Sequence, residues 1–185
     1  MSIYEDEMFK YMTKKENFEV AFEISELFPQ VKNKLIEEFW KKVNSNLIKM
    51  TDSLDWKIDL DEEIFSTYSS LYVGRDKWKE SFYTCYEKLH EGVYYGLWFD
   101  CDDSTLDANK IRKYSERIEC LQETKKSKHW LGYRLIGENF NSIKTLKKIL
   151  PDSREDFSNE LADFLYRFTE EIKPDIEKMN KMRIK

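Results

Sequence analysis

The chain has 185 residues, 41% of them hydrophobic, including 5 Trp, 11 Tyr and 12 Phe; that is enough bulky apolar material for a compact core and too much for a disordered chain. Five Gly and three Pro leave no Gly-rich phosphate loop of the usual kinds. With 36 acidic against 31 basic residues the net charge is −5, so no overall positive field attracts nucleic acid or an anionic membrane.

In chain order, Met1–Lys10 interleaves Glu5, Asp6 and Glu7 with apolar residues, unlike a signal or transit peptide. From Glu16 to Met50 apolar residues recur at helical intervals (Phe18, Phe22, then Val31, Leu35, Phe39, Val43, Leu47), with a break expected at Leu27-Phe28 and Pro29 in the first turn of a second helix. At Asp55 the period changes to two, since Trp56, Ile58 and Leu60 alternate with charges. Phe65–Val73, Ser81–His90 and Val93–Phe99 are three further β-like runs, with turn signals at Gly74–Asp76 and Glu91-Gly92. Connections this short join antiparallel neighbours, so residues 54–100 read as a β-meander. After the acidic turn Asp100–Thr105 a helix is expected, capped by Ser104 or Thr105, with the seam Ile111, Tyr114, Ile118, Leu121. His129–Ile136 reads as one more extended segment, and Asn141–Leu150 as a helix capped by Asn141 or Ser142 and ended by Pro151. Phe157, Leu161, Phe164, Leu165, Phe168 and Ile172 then mark a last amphipathic helix, with Ser153 and Asp156 resembling a capping box.

The pattern predicts a single α+β domain over 1–185: a helical layer over 1–50, a central antiparallel β-meander of four or five strands, and a mainly helical part over 104–185, with N- and C-terminal helices packed on the sheet. Phe39, Trp56, Phe82, Tyr95, Leu97, Ile118, Phe164 and Phe168 are its expected core. Cys85, Cys101 and Cys120, an odd number at wide spacing, read as free thiols of a reducing compartment. No apolar run approaches the roughly 20 residues of a membrane helix. A soluble cytoplasmic protein is expected.

Few motifs carry chemistry. The two histidines, His90 and His129, lack metal-ligand spacing, no Cys-x-x-Cys is present, and no metal or cofactor is expected. The acidic runs Asp59–Glu63 and Asp100–Asp103 read as solubilising turns; counted from Asp100, a Ca²⁺ loop would need Gly where Thr105 stands and Glu where Ile111 stands. Pro151-Asp152 with Glu171-Ile172-Lys173 matches the letters of a PD-(D/E)XK nuclease. In a helix, however, positions i and i+2 diverge, so the acid and lysine cannot meet one metal. Asp55-Trp56-Lys57 is better placed, on an expected strand with both charges on one face. Lys125, Lys126, Lys128, Arg134, Lys144, Lys147 and Lys148, interleaved with His129, Trp130, Tyr133 and Phe140, form a local basic stretch of the kind that contacts phosphates and stacks bases. Tyr94, Tyr95, Trp98 and Phe99 read first as core and second as an exposed docking surface.

Leu71-Tyr72-Val73 with Trp78-Lys79, Ser81–Glu87, Val93–Leu97, His129–Tyr133, Phe157-x3-Leu161 and Ile172-x-Pro174-x-Ile176 together resemble the C-terminal, non-catalytic region that follows the nuclease core in bacterial and phage proteins of the PD-(D/E)XK superfamily. The resemblance spans most of residues 17–180. It implies an accessory or recognition module, and it carries over no catalytic residue. The functional expectation is therefore a non-catalytic binding module that engages a protein, such as a nuclease or a nucleic-acid-handling defence complex that it would inhibit. The expected contact surface is a negative face of Asp55, Asp59, Asp61, Asp102 and Asp103, complementary to a basic channel. The alternatives are nucleic-acid binding through Lys125–Lys148, and a metal-dependent nuclease using Asp55 and Lys57.

Overall fold

In the computed structural model, residues 3–51 and 55–184 are described. Two compact units divide the chain, Met1–Leu35 and Ile36–Lys185. The first holds α1 (Ile3–Met12) and the opening part of α2 (Lys15–Met50). Asn17 Nδ2 donates to the Tyr11 carbonyl at 2.9 Å across the α1–α2 corner. None of the described residues of this unit is buried. Contrary to the expected break, Pro29 lies inside α2. The ring removes one helical hydrogen bond, but on this exposed stretch the freed Ser25 carbonyl can bond to water, so the helix continues.

The second unit is built on a sheet of β1 (Trp56–Leu60), β2 (Ser70–Arg75), β3 (Phe82–Glu87), β4 (Gly92–Phe99) and β5 (Trp130–Asn139), antiparallel and in sequential order. The expected α+β class and meander are therefore present, with β5 as the fifth strand. The connections fall at the expected places, with Asp76 and Glu91 in them, but the glycines do not make the turns. Gly74 and Gly92 lie within strands, whereas Lys79, Glu80 and Lys88 adopt positive φ in the connections.

Strand alternation gives the sheet two faces. Ile58 pairs with Val73, Val73 with Thr84, and Thr84 with Leu97, placing these residues on the inner face with Leu71, Phe82, Tyr86 and Phe99. Helix α5 (Arg154–Met179) lies against this face. The Tyr86 hydroxyl donates to the Leu161 carbonyl at 2.9 Å, and the Thr84 and Thr169 hydroxyls share a 2.5 Å hydrogen bond. The end of α2 contributes Ile36, Phe39, Trp40, Val43 and Leu47, all buried at three- and four-residue spacing. Phe39 stacks on Phe157 at 5.1 Å and also meets Trp40 and Phe140, and Trp40 Nε1 donates to the Leu89 carbonyl at 2.7 Å.

Helix α3 (Ala108–Ser115) is shorter than its seam suggested. Its cap is Asp107, which accepts from the Lys110 amide at 3.1 Å, in place of Ser104 or Thr105. Ile118 and Leu121 are buried beyond the helix end. Ser142 caps α4 (Ile143–Lys148) as expected. Ser153 forms no capping box, because its hydroxyl donates back to the Lys147 carbonyl at 2.7 Å.

Of the expected core, Phe39, Phe82, Leu97, Ile118 and Phe168 are buried, Trp56 and Tyr95 are half-buried, and Phe164 is 40% exposed. At about 100° per residue Phe164 lies about 60° to one side of Leu161, on the flank away from buried Ala162 and Leu165. Its ring meets Tyr95 edge-to-face at 4.6 Å. Phe39→Ala should consequently cost about 3–5 kcal/mol in chemical denaturation, and Phe164→Ala less than about 2 kcal/mol. Equal losses would show that the inner face of α5 has been misassigned.

Candidate binding face of the sheet

The outer face of the sheet is the candidate site. Lys57 and Asp59 from β1, Ser70 and Tyr72 from β2, Tyr83, Cys85 and Glu87 from β3, and Tyr94 and Trp98 from β4 share it by register. Tyr133 follows from β5 opposite Gly96, and a one-residue bulge at Leu131 sets Trp130 opposite Trp98. Tyr72, Tyr83, Tyr94, Trp98 and Tyr133 are all part-exposed. Polar and aromatic residues at alternate positions therefore leave one face sealed by helices and the other open.

Rings form a row across this face. Tyr72 meets Tyr83 edge-on at 4.9 Å, Tyr83 meets Trp98 at 5.7 Å, and Trp98 stacks on His129 at 5.7 Å with only 8° between planes. A second group joins Tyr94 to Trp130 and Tyr133 at 5.3 and 5.0 Å. Gly74 makes room for the row, because a Cβ there would fall 2.9 Å from the Tyr83 ring. At Gly96 a Cβ would fall 2.0 Å from the Gly132 carbonyl oxygen, so the close approach of β4 and β5 requires glycine.

Between the rings lies a shallow hollow of about 190 Å³, lined by Ser70, Tyr72, Tyr83, Cys85, Glu87 and Trp98. Its polar groups are acceptors tied to hydroxyls. Asp61 accepts from the Ser70 amide and hydroxyl at 2.7 and 2.9 Å, Asp59 accepts from the Tyr72 hydroxyl at 3.0 Å, and Glu87 accepts from Tyr94. Burial first, then the Asp59 hydrogen bond and charge, push the Tyr72 phenol up to about 12. Burial with the charges of Glu80 and Asp100 pushes Tyr83 up to about 12, and burial with Glu87 raises Tyr94 further. Partial burial also raises Glu87. The surface is thus aromatic, rich in neutral hydroxyls and bordered by carboxylates.

The five acids expected to form one negative face occupy separate places. Asp59 and Asp61 accept hydrogen bonds from Tyr72 and Ser70, which line the hollow. Asp55 precedes β1 and pairs with Arg75, which also reaches Glu177 of α5 and covers the Trp56 ring at 5.0 Å. Asp102 pairs with Lys128 at 3.0 Å in the turn after β4. Asp103 accepts from Ser81 and Thr105 and lies 3.7 Å from Arg183. Burial opposes its charge, but those hydrogen bonds and Arg183 outweigh it and hold the carboxyl below its usual range.

Asp55 and Lys57 do not converge either. Asp55 is in the turn before the strand and serves Arg75, whereas Lys57 serves Glu80 at 3.1 Å and Asp76 at 3.5 Å. Glu171–Lys173 is helical as expected, with Ile172 buried between the two charges. In the basic stretch, Lys128 pairs with Asp102, Arg134 donates to the Gln122 carbonyl at 2.6 Å, and Lys148 pairs with Glu138 at 2.5 Å and covers the Phe157 ring at 4.8 Å. The Lys125 backbone pairs with Tyr133 on β5, and Lys125, Lys126, Lys144 and Lys147 are all exposed.

Sequence reasoning missed the aromatic row, although Tyr94 and Trp98 were read second as a docking surface. Its signal is at least one outward-facing aromatic residue on each of four consecutive strands. It also missed the approach of Cys101 to His129, where Sγ and Nδ1 lie 3.4 Å apart with Asp102 alongside. Among the described residues, no helix is long and apolar enough to cross a membrane. No family model matches the chain, and comparison with curated proteins and with solved structures returned no similar protein.

Gly96→Ala should destabilise by more than about 3 kcal/mol, because backbone blocks the new methyl, whereas Gly74→Ala should cost about 1 kcal/mol as the Tyr83 ring swings aside. Denaturation midpoints measure both, and equal costs would contradict the packing. Alkaline titration tests the phenols. Folded Tyr72 and Tyr83 hold their protons more tightly than the unfolded chain, whose phenols ionise near 10.0. Stability is therefore intact below that pH and falls as pH rises through about 12. Tyr72→Phe should make the fall shallower, and an unchanged slope would refute the shift.

Proposed function

We propose that this protein is a non-catalytic binding module that engages a protein partner, and that the open sheet face receives a basic segment of that partner. One observation carries the reading: beside the row Tyr72–Tyr83–Trp98, Glu87 lines the hollow, and Asp59 and Asp61 accept hydrogen bonds from its lining residues Tyr72 and Ser70. Stacked rings alone suit bases or cations equally. Carboxylates beside them repel phosphates and attract guanidinium or ammonium groups, which aromatic faces also favour. The same chemistry fits the module implied by the nuclease resemblance, with the partner's nucleic-acid-binding cations as the target. The first unit adds apolar contact area of its own, with Phe9, Phe18, Phe22, Leu27 and Phe28 all exposed.

Fluorescence titration of the full chain with an Arg/Lys-rich peptide, and separately with single-stranded DNA and RNA oligonucleotides, tests this reading. The peptide should bind more tightly than either oligonucleotide, with a salt-dependent affinity. Trp98→Ala or the pair Asp59→Asn and Asp61→Asn should weaken it by at least about tenfold, the loss of roughly one desolvated cation–π or charge contact. Tighter oligonucleotide binding, lost on replacing Lys126, Lys144 and Lys147 by Ala, would replace this reading with the nucleic-acid one.

A further inference from the structure

We propose that Cys101, Asp102 and His129 form a binding site for a borderline-soft divalent transition ion, with Zn²⁺ as the ion its donors suit best. The residues supply one thiol, one carboxylate and one imidazole, and their ligand atoms all lie within 4.8 Å of one another. That set matches the preference of Zn²⁺ for sulfur and nitrogen with a supporting oxygen, and three protein ligands leave a fourth tetrahedral position for water. Mg²⁺ and Ca²⁺ prefer all-oxygen sites and are excluded by the same argument.

The geometry needs little rearrangement. Zn–S and Zn–N bonds of tetrahedral zinc hold sulfur and nitrogen about 3.6 Å apart, and Cys101 Sγ lies 3.4 Å from His129 Nδ1. The backbone beside both ligands is held in place. The Phe99 amide donates to the His129 carbonyl at 2.8 Å, and the Asp100 amide donates to the Ser81 carbonyl at 2.9 Å, so the end of β4 and the approach to β5 are fixed together. The Trp98 ring lies flat on the imidazole and sets its plane. Both ligands are half-buried, which keeps their orientation. Asp102 is the adjustable member. Its side chain is 65% exposed and its partner is the equally exposed Lys128, in a surface ion pair that contributes little. Turning the carboxylate from the lysine to the ion exchanges that pair for a metal bond.

Sequence spacing hid this site because Cys101 and Asp102 are adjacent while His129 is 28 residues away, and only the pairing of β4 with β5 brings them together. The site is independent of the partner-binding reading, since it concerns the free chain and a metal ion alone.

Titration of the full chain with Co²⁺ under reducing conditions tests the proposal, because a cobalt–thiolate bond gives a charge-transfer absorption that no oxygen or nitrogen ligand produces. One equivalent should saturate the band, and Zn²⁺ should displace it. Cys101→Ser should abolish the band and Cys120→Ser should leave it intact. His129→Gln and Asp102→Asn should each weaken binding by about tenfold or more. Lys128→Ala, which releases Asp102 and removes a nearby positive charge, should tighten it by up to about fivefold. Asp102 and Lys128 are exposed, so their variants keep the fold and decide the matter if Cys101→Ser or His129→Gln does not fold. The absence of a saturable band, a band that survives Cys101→Ser or disappears in Cys120→Ser, or an Asp102→Asn affinity equal to that of the parent would each overturn the site.

Discussion

The position of β3 against α5 constrains the rest of the second unit. Phe82, Thr84 and Tyr86 point inward, and two buried polar contacts fix them there: Thr84 to Thr169 and Tyr86 to the Leu161 carbonyl. Apolar packing tolerates sliding, whereas a buried hydroxyl left without its partner costs about 1–3 kcal/mol. A one-residue slip would exchange the two faces of the strand. It would bury Tyr83 and Glu87 and expose Phe82 and Tyr86. Because β3 is central, its register passes through both neighbours to β1 and β5, and the outer row of rings inherits its order from an inner hydrogen bond.

Charge follows a local logic. Asp55, Asp102 and Asp103 have cations close by, and Asp59, Asp61 and Glu87 accept hydrogen bonds from hydroxyl groups. The distinction matters, because a carboxylate held by a neutral hydroxyl keeps its full charge to present to a ligand, while an ion pair presents a weaker field. The hollow between Tyr72 and Trp98 is bordered by the first kind. Net charge therefore says less about binding than the identity of each carboxylate's partner.

The first unit follows different physics. Its helices carry Phe, Leu and Ile without burying them, and a short apolar hollow of about 260 Å³ opens between Phe9, Met12, Phe18, Ala21 and Phe22. Helical hydrogen bonding alone sustains such a segment only marginally in water. Exposed apolar side chains of this density gain stability when another surface covers them.

The sequence by itself determined the element types. Period-two alternation marked Trp56–Leu60, β-branched and aromatic composition between turn signals marked the runs that became β2 to β4, and three- and four-residue spacing marked the buried stripes of α2 and α5, because such preferences are set by backbone geometry within one element. It misjudged Pro29, which exposure made tolerable, and Phe164, whose place on a wide stripe depended on which flank met the sheet. Only tertiary structure decided the candidate sites. Asp59 and Asp61 were legible as acids, but their separation from Asp102 and Asp103 follows from strand order, and the alignment of Tyr72, Tyr83 and Trp98 follows from register. Cys101 reached His129 because β4 and β5 are neighbours. Contacts between distant segments are fixed by the free energy of closing a common core, which no local spacing encodes.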